Sequence, residues 1–351
     1  MKKRVLVWMS WWVDSAVTAH LLLQQWYEVV AWFMKNYADE SNPDCHTRQD
    51  RDMALKVSQY LGIQTFIIFD FRKQYHEYII SYIYDTYKQW LTPNPDILCN
   101  TLVKFKLFLD EWIKLGCDYV ATGHYARIHK DEWWHATLLK WIDENKDQSY
   151  FLSWLNQKQL QKAIFPLWEL EKSAVRDIAR KAWLPNAERK DSQWLCFIGK
   201  VSMKDFLMEA LPKKSWHITD AVGNILGSHD WVRFYTIGQR QWLGLSWWPW
   251  YVIKRDIEKN ILTVGPATAE WLTSKLLFVK KRHRIWWTEP ELPLTIWAKI
   301  RYRQADQLCT ISPKHEGVYT VTFEKKQRAI SAGQTIALYD DDVLLWSWII
   351  Y

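Results

Sequence analysis

The first half of the chain alternates apolar runs with segments in which apolar residues recur at helical spacing. The apolar runs predict strands at residues 4–9, 28–34, 65–71 and 118–122. The helical pattern predicts helices at residues 14–24, 52–61, 75–87, 101–115 and 173–182. Because strands that alternate with helices form largely parallel sheets, we predict an α/β domain with a doubly wound parallel sheet over residues 1–205.

The pattern changes beyond residue 205. Short apolar runs separated by turn residues predict strands at residues 232–237, 251–255 and 260–264. Alternating apolar and polar positions predict further strands at residues 294–300, 318–323 and 334–339. We therefore predict a small central domain over residues 206–275 and a C-terminal β-barrel over residues 276–351.

Length, composition and charge narrow the class of protein. The chain has 351 residues, of which 49% are hydrophobic, as in a globular protein of two or three domains. No apolar run approaches a membrane span, and Met1–Arg4 leads into a strand without a signal peptide, so we expect a cytoplasmic protein with no membrane partner. The net charge of +7 suits a polyanionic partner where basic residues cluster, as at 280–284 and 301–303. On charge alone, a solvated basic face is the better explanation.

The cysteines argue against a structural metal or disulfide framework. They lie far apart and contain no C-x-x-C pair: Cys45, Cys99, Cys117, Cys196 and Cys309. An odd number of scattered cysteines in a cytosolic chain favours free thiols, most of which behave as small buried hydrophobic residues. We therefore predict no metal site, and a reactive cysteine needs support from its local context.

Tryptophan is unusually frequent and glycine unusually scarce. The chain has 26 Trp and 11 Gly, whereas average usage predicts roughly 25 glycines. The tryptophans lie where turns and helix ends favour glycine, as at Trp11–Trp12, Trp26 and Trp247–Trp248. Either the protein carries these bulky residues, or a codon that specifies Gly in the source, such as a reassigned UGA, has been translated as Trp. We favour the second explanation as a hypothesis that an intact mass decides.

The segment Val5–Ser15 predicts a strand, a tight turn and the start of a helix. The segment contains three tryptophans, Trp8, Trp11 and Trp12. If these are read as Gly, the segment contains the S-G-G-x-D-S loop of the PP-loop ATP pyrophosphatases. In such a loop, backbone N–H groups approach a phosphate, the Ser10 and Ser15 hydroxyls donate to it, and the helix N-terminus favours the anion. By themselves, Ser10, Asp14 and Ser15 also fit an ordinary turn with a polar helix cap.

The most specific motif is T-P-N-P-D-x-x-C-N at Thr92–Asn100. It resembles the corresponding loop of the tRNA-specific 2-thiouridylase family, which belongs to the PP-loop ATP pyrophosphatases. Further stretches that resemble this family lie at residues 121–127, 147–152, 190–199, 235–240 and 301–304. The resemblance runs from the N-terminus to Gln334, so it covers nearly the whole chain.

The resemblance implies a tRNA-uridine 2-sulfurtransferase. ATP, with Mg²⁺, would adenylate the C2 oxygen of the wobble uridine of tRNA, with Asp96 as the acid/base residue. The cysteine that matches Cys196 would carry a persulfide whose terminal sulfur attacks C2. The cysteine that matches Cys99 would release that sulfur and leave a Cys99–Cys196 disulfide. The implied partners are tRNA and a sulfur-donor protein, either a cysteine desulfurase or a sulfur-relay protein.

The same resemblance implies two sets of contacts. The positions that match nucleotide-binding residues are Trp8, Met9, Ser10, Trp11, Trp12, Val13, Asp14, Ser15, Met34 and Gly123. The positions that match tRNA-contacting residues are Asn94, Pro95, Asp96, His124, Asp147, Gln148, Ser149, Arg301, Tyr302 and Gln334. Asn94 to Asp96 would contact the target base, and an Arg beside a Tyr suits a phosphate and an unpaired base.

Each of these residues also has a simpler explanation. Cys99 and Cys196 fit inert core thiols, Met34 fits core packing, His124 fits a loop histidine with its hydrogen bonds satisfied, and Arg301–Tyr302 fits a barrel surface pair. For the two cysteines, a Pro-rich and a polar setting favour the functional interpretation. A relay between them requires that their Cα atoms come within about 7 Å.

Two other functions stay open on the sequence alone. Another PP-loop ligase, such as an amide- or argininosuccinate-forming synthase, would not need Cys99 and Cys196. A degenerate tRNA-binding protein without ATP chemistry would fit a chain in which the tryptophans of the phosphate loop are real.

Overall fold

The computed structural model describes residues 2–36, 47–143, 145–189, 203–211, 213–246, 249–315 and 317–351. Cys45, Cys196, the stretch 190–199 and Trp247–Trp248 lie wholly outside these ranges. Within them, no helix has the length and apolar character that crossing a membrane requires.

The described residues of the N-terminal half contain seven strands, and five of them form a parallel sheet. The strands are β1 (Arg4–Trp8), β2 (Glu28–Lys35), β3 (Thr65–Asp70), β4 (Tyr119–Ala121), β5 (Arg127–Lys130), β6 (Ala136–Leu139) and β7 (Ala163–Ile164). The sheet order is β3-β2-β1-β4-β7. From β1, the chain adds β2 and β3 on one side of the sheet and then β4 and β7 on the other, so the strand order switches between β1 and β4. Open α/β sheets bind ligands beyond the carboxyl ends of the strands at such a point.

Helices cover both faces of this sheet, which confirms the predicted doubly wound α/β fold. They are α1 (Val13–Gln24), α2 (Thr47–Tyr60), α3 (Arg72–Tyr75), α4 (Ser81–Lys88), α5 (Pro95–Leu98), α6 (Phe108–Lys114), α7 (Gln157–Lys162), α8 (Lys172–Lys181) and α9 (Met203–Ala210). Within β1, Val5 and Val7 pack with α1 and α8 on one face, and Leu6 packs with α4 and α6 on the other. Burial on both faces explains why this strand is apolar throughout.

Two of the predicted helices are longer than the sequence suggested, because π-helical turns join their parts. One joins α3 to α4 at His76–Ile80, and the other joins α5 to α6 at Cys99–Leu107. The second helix therefore begins at Pro95 rather than at residue 101. Asn94 is its N-cap and its side-chain oxygen accepts a hydrogen bond from the N–H of Ile97, while proline at the first helical position is already set to a helical φ.

The middle segment forms a separate four-stranded sheet. Its strands are β8 (Trp216–Thr219), β9 (Ile225–His229), β10 (Tyr251–Asp256) and β11 (Ile261–Gly265), in the order β10-β11-β8-β9. The predicted strand at residues 232–237 is wrong, since Val232–Phe234 is a short 3₁₀ turn. Its apolar residues are buried in the core, so the apolar run reflects burial rather than strand pairing.

The C-terminal segment is a closed antiparallel barrel, as predicted. Its strands are β12 (Thr273–Arg284), β13 (Leu294–Lys299), β14 (Gln307–His315), β15 (Val318–Arg328), β16 (Thr335–Asp340) and β17 (Val343–Ile350). They run in the order β12-β15-β14-β13-β16-β17, and β12 also pairs with β17 to close the barrel. The hairpin β5–β6 adds to this sheet through β17, so part of the first 205 residues extends the barrel.

Tryptophan occupies the left-handed position at the end of three helices. Trp26, Trp90 and Trp183 follow α1, α4 and α8 with φ of 63°, 65° and 52°. Gly62 and Gly116 follow α2 and α6 with φ of 72° and 63°. In all five, this residue donates its N–H to the carbonyl three residues back, and the next residue donates to the carbonyl five back. This is the Schellman ending, which favours glycine because a Cβ is strained there.

The backbone thus supports the hypothesis that these tryptophans stand for glycine. Two more, Trp134 and Trp242, have φ of 63° and 71°. Five of the ten non-glycine residues with positive φ in the described ranges are tryptophan. Bulky residues rarely adopt this conformation. Tryptophan is therefore enriched at positions where the backbone favours glycine, and not at positions that suit an indole side chain.

Candidate active site

The loop after β1 places two serine hydroxyls beside the N-terminus of α1. The N–H of Ser10 donates to Ser15 Oγ at 3.1 Å, and the N–H of Trp12 approaches Ser10 Oγ at 3.3 Å. Ser15 Oγ also donates to the carbonyl of Trp12 at 3.0 Å, while Met9 and Val13 anchor the loop in the core. Trp12 gives no side-chain cap to α1. The first N–H groups of a 12-residue helix are therefore presented to this loop, as in anion-binding sites.

The indole rings of the printed sequence fill the space around this loop. Trp11 and Trp12 stack edge to face with their ring centroids 5.1 Å apart. The Arg189 guanidinium lies 3.1 Å from the ring centroid of Trp11, and the Lys104 amine lies 4.3 Å from that of Trp8. With Gly at these three positions, both cations would face the loop without an intervening ring.

Asp14 lies in the first turn of α1, where three elements meet. Its Oδ1 accepts hydrogen bonds from Lys172 Nζ at 2.5 Å and from Tyr125 Oη at 2.6 Å. Gly123 follows β4, and a Cβ on it would come within 3.0 Å of Asp14 main-chain and side-chain carbons. A side chain at this position would push the strand end and α1 apart by a few tenths of an ångström, which gives a steric reason for glycine at a predicted nucleotide-binding position.

Met34 ends the neighbouring strand and is buried. It is 5% exposed in the core on the α4 side of the sheet, and it pairs in register with Phe69. Its place in this structure is that of a packing residue at the carboxyl edge of the sheet. Contact with an adenine ring stays a prediction.

A cavity of about 360 Å³ lies between the Pro-rich loop and the barrel. It is lined by Tyr87, Pro93, Asn94, Pro95, Asp96, Tyr150, Phe151, Met203, Arg301, Tyr302 and Gln334. Gln334 connects its two walls, because its Nε2 donates to the carbonyl of Pro93 at 2.7 Å and its Oε1 accepts from Asn94 Nδ2 at 3.1 Å. The structure therefore brings together six predicted tRNA-contacting residues from two domains: Asn94, Pro95, Asp96, Arg301, Tyr302 and Gln334.

The electrostatics of this region depend on one buried lysine. Burial raises the pKa of the Asp96 carboxyl, and Lys104 opposes that rise. Burial holds the pKa of His124 well below its usual value of 6.5, and Lys104 lowers it further. His124 Nδ1 lies 2.7 Å from Thr122 Oγ1, so the ring is a neutral, hydrogen-bonded group near neutral pH. His124 is only 7% exposed, so its contact with tRNA stays a prediction.

The described cysteines differ in their settings. Cys99 begins the π-helical segment, one turn after Asp96, and is 5% exposed. Burial raises the pKa of Cys117, and it raises the pKa of Cys309 to about 12. The Sγ of Cys309 donates to the carbonyl of Ile296, and both Cys117 and Cys309 fit inert core thiols. Cys196 lies outside the described residues, so the approach of Cys99 to Cys196 stays a prediction.

Three family models match consecutive parts of the chain. A tRNA methyl transferase HUP domain matches residues 3–200, a tRNA methyl transferase PRC-barrel domain matches residues 204–266, and an aminomethyltransferase β-barrel domain matches residues 274–350. The tRNA-specific 2-thiouridylase MnmA of Halalkalibacterium halodurans is 44% identical over 97% of this chain and 93% of its own. That of Shouchella clausii is 44% identical over 97% of this chain and 96% of its own. The chain belongs to the tRNA-specific 2-thiouridylase family.

This membership includes the barrel, since both relatives align beyond the first domain. The domain models carry methyl transferase names, whereas the relatives that align over nearly the whole chain are named thiouridylases, so we take the family from those relatives. A solved structure, the NMN synthetase of Francisella tularensis, covers 54% of this chain and 66% of its own at 16% identity. Its TM-score is 0.35, too low to add to the assignment.

Arg301 and Tyr302 form the barrel side of the cavity. Tyr302 packs against Phe151 with ring centroids 4.5 Å apart, and the Arg303 guanidinium lies 5.2 Å from the Tyr302 ring centroid. Arg301 donates to the carbonyl of Arg328 at 3.2 Å, and its side chain is exposed. An exposed guanidinium beside a supported aromatic ring is the combination that suits a phosphate next to an unpaired base.

The predicted tRNA-contacting segment 147–149 has a structural role in this fold. Asp147 and Ser149 are 3% and 0% exposed. Asp147 Oδ2 lies 3.2 Å from Lys299 Nζ of the barrel, and Ser149 Oγ donates to the same carboxylate at 2.9 Å. Gln148 is partly exposed, and its Oε1 accepts from the N–H of Tyr125. Ser149 Oγ also lies 3.1 Å from Tyr339 Oη of the barrel, so Asp147 and Ser149 both join the domains. The contact of all three residues with tRNA stays a prediction.

The sequence alone did not single out the cations around the loop between β1 and α1, residues 9–12, which is the predicted phosphate loop. Lys104, Lys172 and Arg189 come from three separate elements and meet only in the fold. Asp50 belongs to the same region, because burial raises its pKa to about 7 and Arg189 opposes that rise. The one available signal was Lys104, which lies four residues after the Asn100 that ends the Pro-rich motif. A lone lysine on a predicted helix indicates a solvated face unless its burial is known.

Proposed function

We propose that this chain catalyses the ATP-dependent 2-thiolation of the wobble uridine of tRNA in the cytoplasm. The observation that carries the proposal is the cavity in which the loop of Asn94–Asp96 faces Arg301 and Tyr302. The cavity offers a carboxyl group with a raised pKa, an aromatic ring and a cation, which together suit an unpaired base and its phosphate. The phosphate loop lies at the carboxyl edge of the neighbouring sheet, where an α/β domain binds a nucleotide.

The first chemical step is adenylation of the uracil. The C2 oxygen attacks the α-phosphorus of ATP, the bond to the β-phosphate oxygen breaks, and pyrophosphate leaves. The proton on uracil N3 passes to the ionised Asp96 carboxyl group, whose raised pKa makes it a better base than an ordinary aspartate. The loop of Ser10 and Ser15, with the N-terminus of α1, holds the departing pyrophosphate.

The second step transfers sulfur. The terminal sulfur of a persulfide on Cys196 attacks C2, and AMP leaves with the former C2 oxygen. The Cys99 thiolate then attacks the inner sulfur of Cys196, which breaks the bond to the transferred sulfur and leaves C2=S. The Cys99–Cys196 disulfide accounts for the two electrons and is reduced by an external thiol, while a cysteine desulfurase or sulfur-relay protein reloads the persulfide.

The residues around Asp14 fit a magnesium ion. Lys172 and Tyr125 both bind Oδ1 of its carboxylate, and the chain's described residues give Oδ2 no hydrogen bond. Mg²⁺ is commonly held by one or two carboxylates together with phosphate oxygens. Asp14 would therefore hold the ion, which when bound supplies charge neutralisation to the phosphates.

The test compares two forms of the chain with tRNA bearing an unmodified wobble uridine. One form is the printed sequence, and the other carries Trp8→Gly, Trp11→Gly and Trp12→Gly. We expect the glycine form to release pyrophosphate in a tRNA-dependent manner and, with a persulfide donor, to form 2-thiouridine, while the indoles block the printed form. Failure of both forms to release pyrophosphate, with their folds intact, would falsify the proposal.

Two further variants separate the alternative functions. Cys196→Ser in the active form should abolish thiolation but keep tRNA-dependent pyrophosphate release, because the sulfur carrier acts after adenylation. A Cys99→Ser/Cys196→Ser variant with full product formation would instead identify another PP-loop ligase. Binding of tRNA without any pyrophosphate release would identify a degenerate tRNA-binding protein.

A further inference from the structure

Lys104 is a buried cation that forms no salt bridge within the described part of the chain, and Asp96 is a carboxylate that acts on it electrostatically. Its side chain is 7% exposed, whereas Lys106, two residues further on, is exposed. The only close contact of its amine described here is the ring of Trp8, at 4.3 Å from the centroid. Burial of an ammonium without a salt bridge is costly, which makes Lys104 a candidate for a functional role.

The position of this amine links the two halves of the site. Trp8 is the last residue of β1, so Lys104 reaches the carboxyl edge of the sheet where the phosphate loop begins. Lys104 also acts electrostatically on Asp96, which lines the base cavity, and on His124, which follows β4. One cation therefore lies near the phosphate loop, the base cavity and the strand between them.

The helix that carries Lys104 also carries the candidate chemistry. Asp96 and Cys99 lie in its first turns, and Lys104 follows Cys99 by five residues within the π-helical segment. A π-helix pairs residues five apart, so Lys104 lies one π turn beyond Cys99. The local widening of this helix therefore sets the placement of the amine relative to the two reactive groups.

We propose that Lys104 is a catalytic residue that binds the α-phosphate of ATP during adenylation of the uracil and again as AMP leaves. This inference rests on the proposed function. The bond that forms joins the C2 oxygen of a base in the cavity to the α-phosphorus of a nucleotide on the loop. The α-phosphate must consequently lie between these two places, where Lys104 is the buried cation. A fixed ammonium there stabilises the negative charge on the phosphoryl oxygens in the transition state.

The test uses the loop form that releases pyrophosphate, with Lys104→Met, Lys104→Arg and the control Lys106→Met. Single-turnover pyrophosphate release is measured over a range of ATP concentrations, alongside tRNA binding and thermal unfolding. We expect Lys104→Met to lower the maximal rate by about 10²–10³-fold, the range for loss of one transition-state donor. The KM for ATP and the Kd for tRNA should change much less. Lys104→Arg keeps the charge and should retain more activity than Lys104→Met, and Lys106→Met should match the parent.

The outcomes separate this inference from the function on which it rests. If the parent releases pyrophosphate and a folded Lys104→Met variant does so at the parent rate, the role of Lys104 is refuted and the proposed function stands. The inference also fails if Lys104→Met and Lys104→Arg lose activity only in proportion to lost thermal stability. If no loop form releases pyrophosphate with tRNA, the function and the inference fall together.

Discussion

Replacing Trp183 by glycine should stabilise the protein, and by more than replacing it by alanine. Trp183 follows α8 with φ of 52° and is 82% exposed, so its ring contributes little buried area. Alanine removes the ring but keeps the Cβ that strains a left-handed backbone. Glycine removes both. Comparing the two variants therefore isolates the backbone contribution.

The size of the effect follows from two opposing quantities. A left-handed conformation costs an L-residue roughly 1–2 kcal/mol. Glycine loses more backbone entropy than alanine on folding, which costs about 0.5–1 kcal/mol. The net expectation is that Trp183→Gly is more stable than Trp183→Ala by about 0–1.5 kcal/mol, with a central value of about 0.75 kcal/mol. The same argument applies to Trp26, which is 74% exposed.

Urea unfolding followed by far-UV circular dichroism measures the difference, provided that the slope of the transition is the same for both variants. The matched control is Lys181, an exposed residue of α8 two positions earlier. There the order should invert, with Lys181→Gly less stable than Lys181→Ala by at most about 1 kcal/mol, because Lys181 is the last residue of α8 and the full difference applies to helix interiors. If Trp183→Ala were as stable as Trp183→Gly while the Lys181 pair behaved normally, the left-handed strain, and with it the structural case for glycine, would be refuted.

Three further predictions address the site. Gln334→Ala should slow thiolation and cost about 1–3 kcal/mol of unfolding free energy, because Asn94 loses its acceptor; an unchanged rate and urea midpoint would contradict this. Lys299→Met should cost about 3–5 kcal/mol by leaving Asp147 unpaired. Adding Asp147→Asn should recover part of that loss in urea unfolding, and no recovery would argue against the ion pair. The rate of adenylation should fall on the acid side of its pH profile with an apparent pKa above the ordinary aspartate range, because burial raises the pKa of Asp96. This apparent pKa should be higher still in Lys104→Met, because Lys104 opposes the rise. An apparent pKa that does not change in Lys104→Met would exclude Asp96 as the base.

The sequence predicted the sheet and the barrel because their apolar periodicity is strong. All four predicted strands of the parallel sheet are present, and the helix at Lys172–Lys181 lies within one residue of its predicted bounds. Periodicity failed where apolar residues are buried without regular pairing, as at Val232–Phe234. It also missed the hairpin β5–β6, whose short strands depend on pairing with β17 rather than on their own pattern.

The site was predictable where a motif is contiguous and not where residues meet only in three dimensions. The motif Thr92–Asn100 contains the residues that form one wall of the cavity, while the binding of a base there stays a prediction. The sequence did not indicate that Asp147 would be buried beside Lys299, because that ion pair joins residues 152 positions apart. Lys104 was missed for a related reason, since its amine lies against the Trp8 ring of β1, which comes from a distant part of the chain.

The barrel is part of the candidate active site rather than an appended binding module. Gly333 has φ of 92°, and a Cβ on it would lie 2.7 Å from the carbonyl oxygen of Thr92. The N–H of Thr92 donates to the carbonyl of Ala332 at 2.8 Å, and Gln334 binds the carbonyl of Pro93. The loop that precedes Asp96 is therefore held in place by barrel main chain. Because the barrel also supplies Arg301 and Tyr302, the proposed function predicts that docking of tRNA on the barrel and placement of the target base beside Asp96 depend on the same interdomain contact.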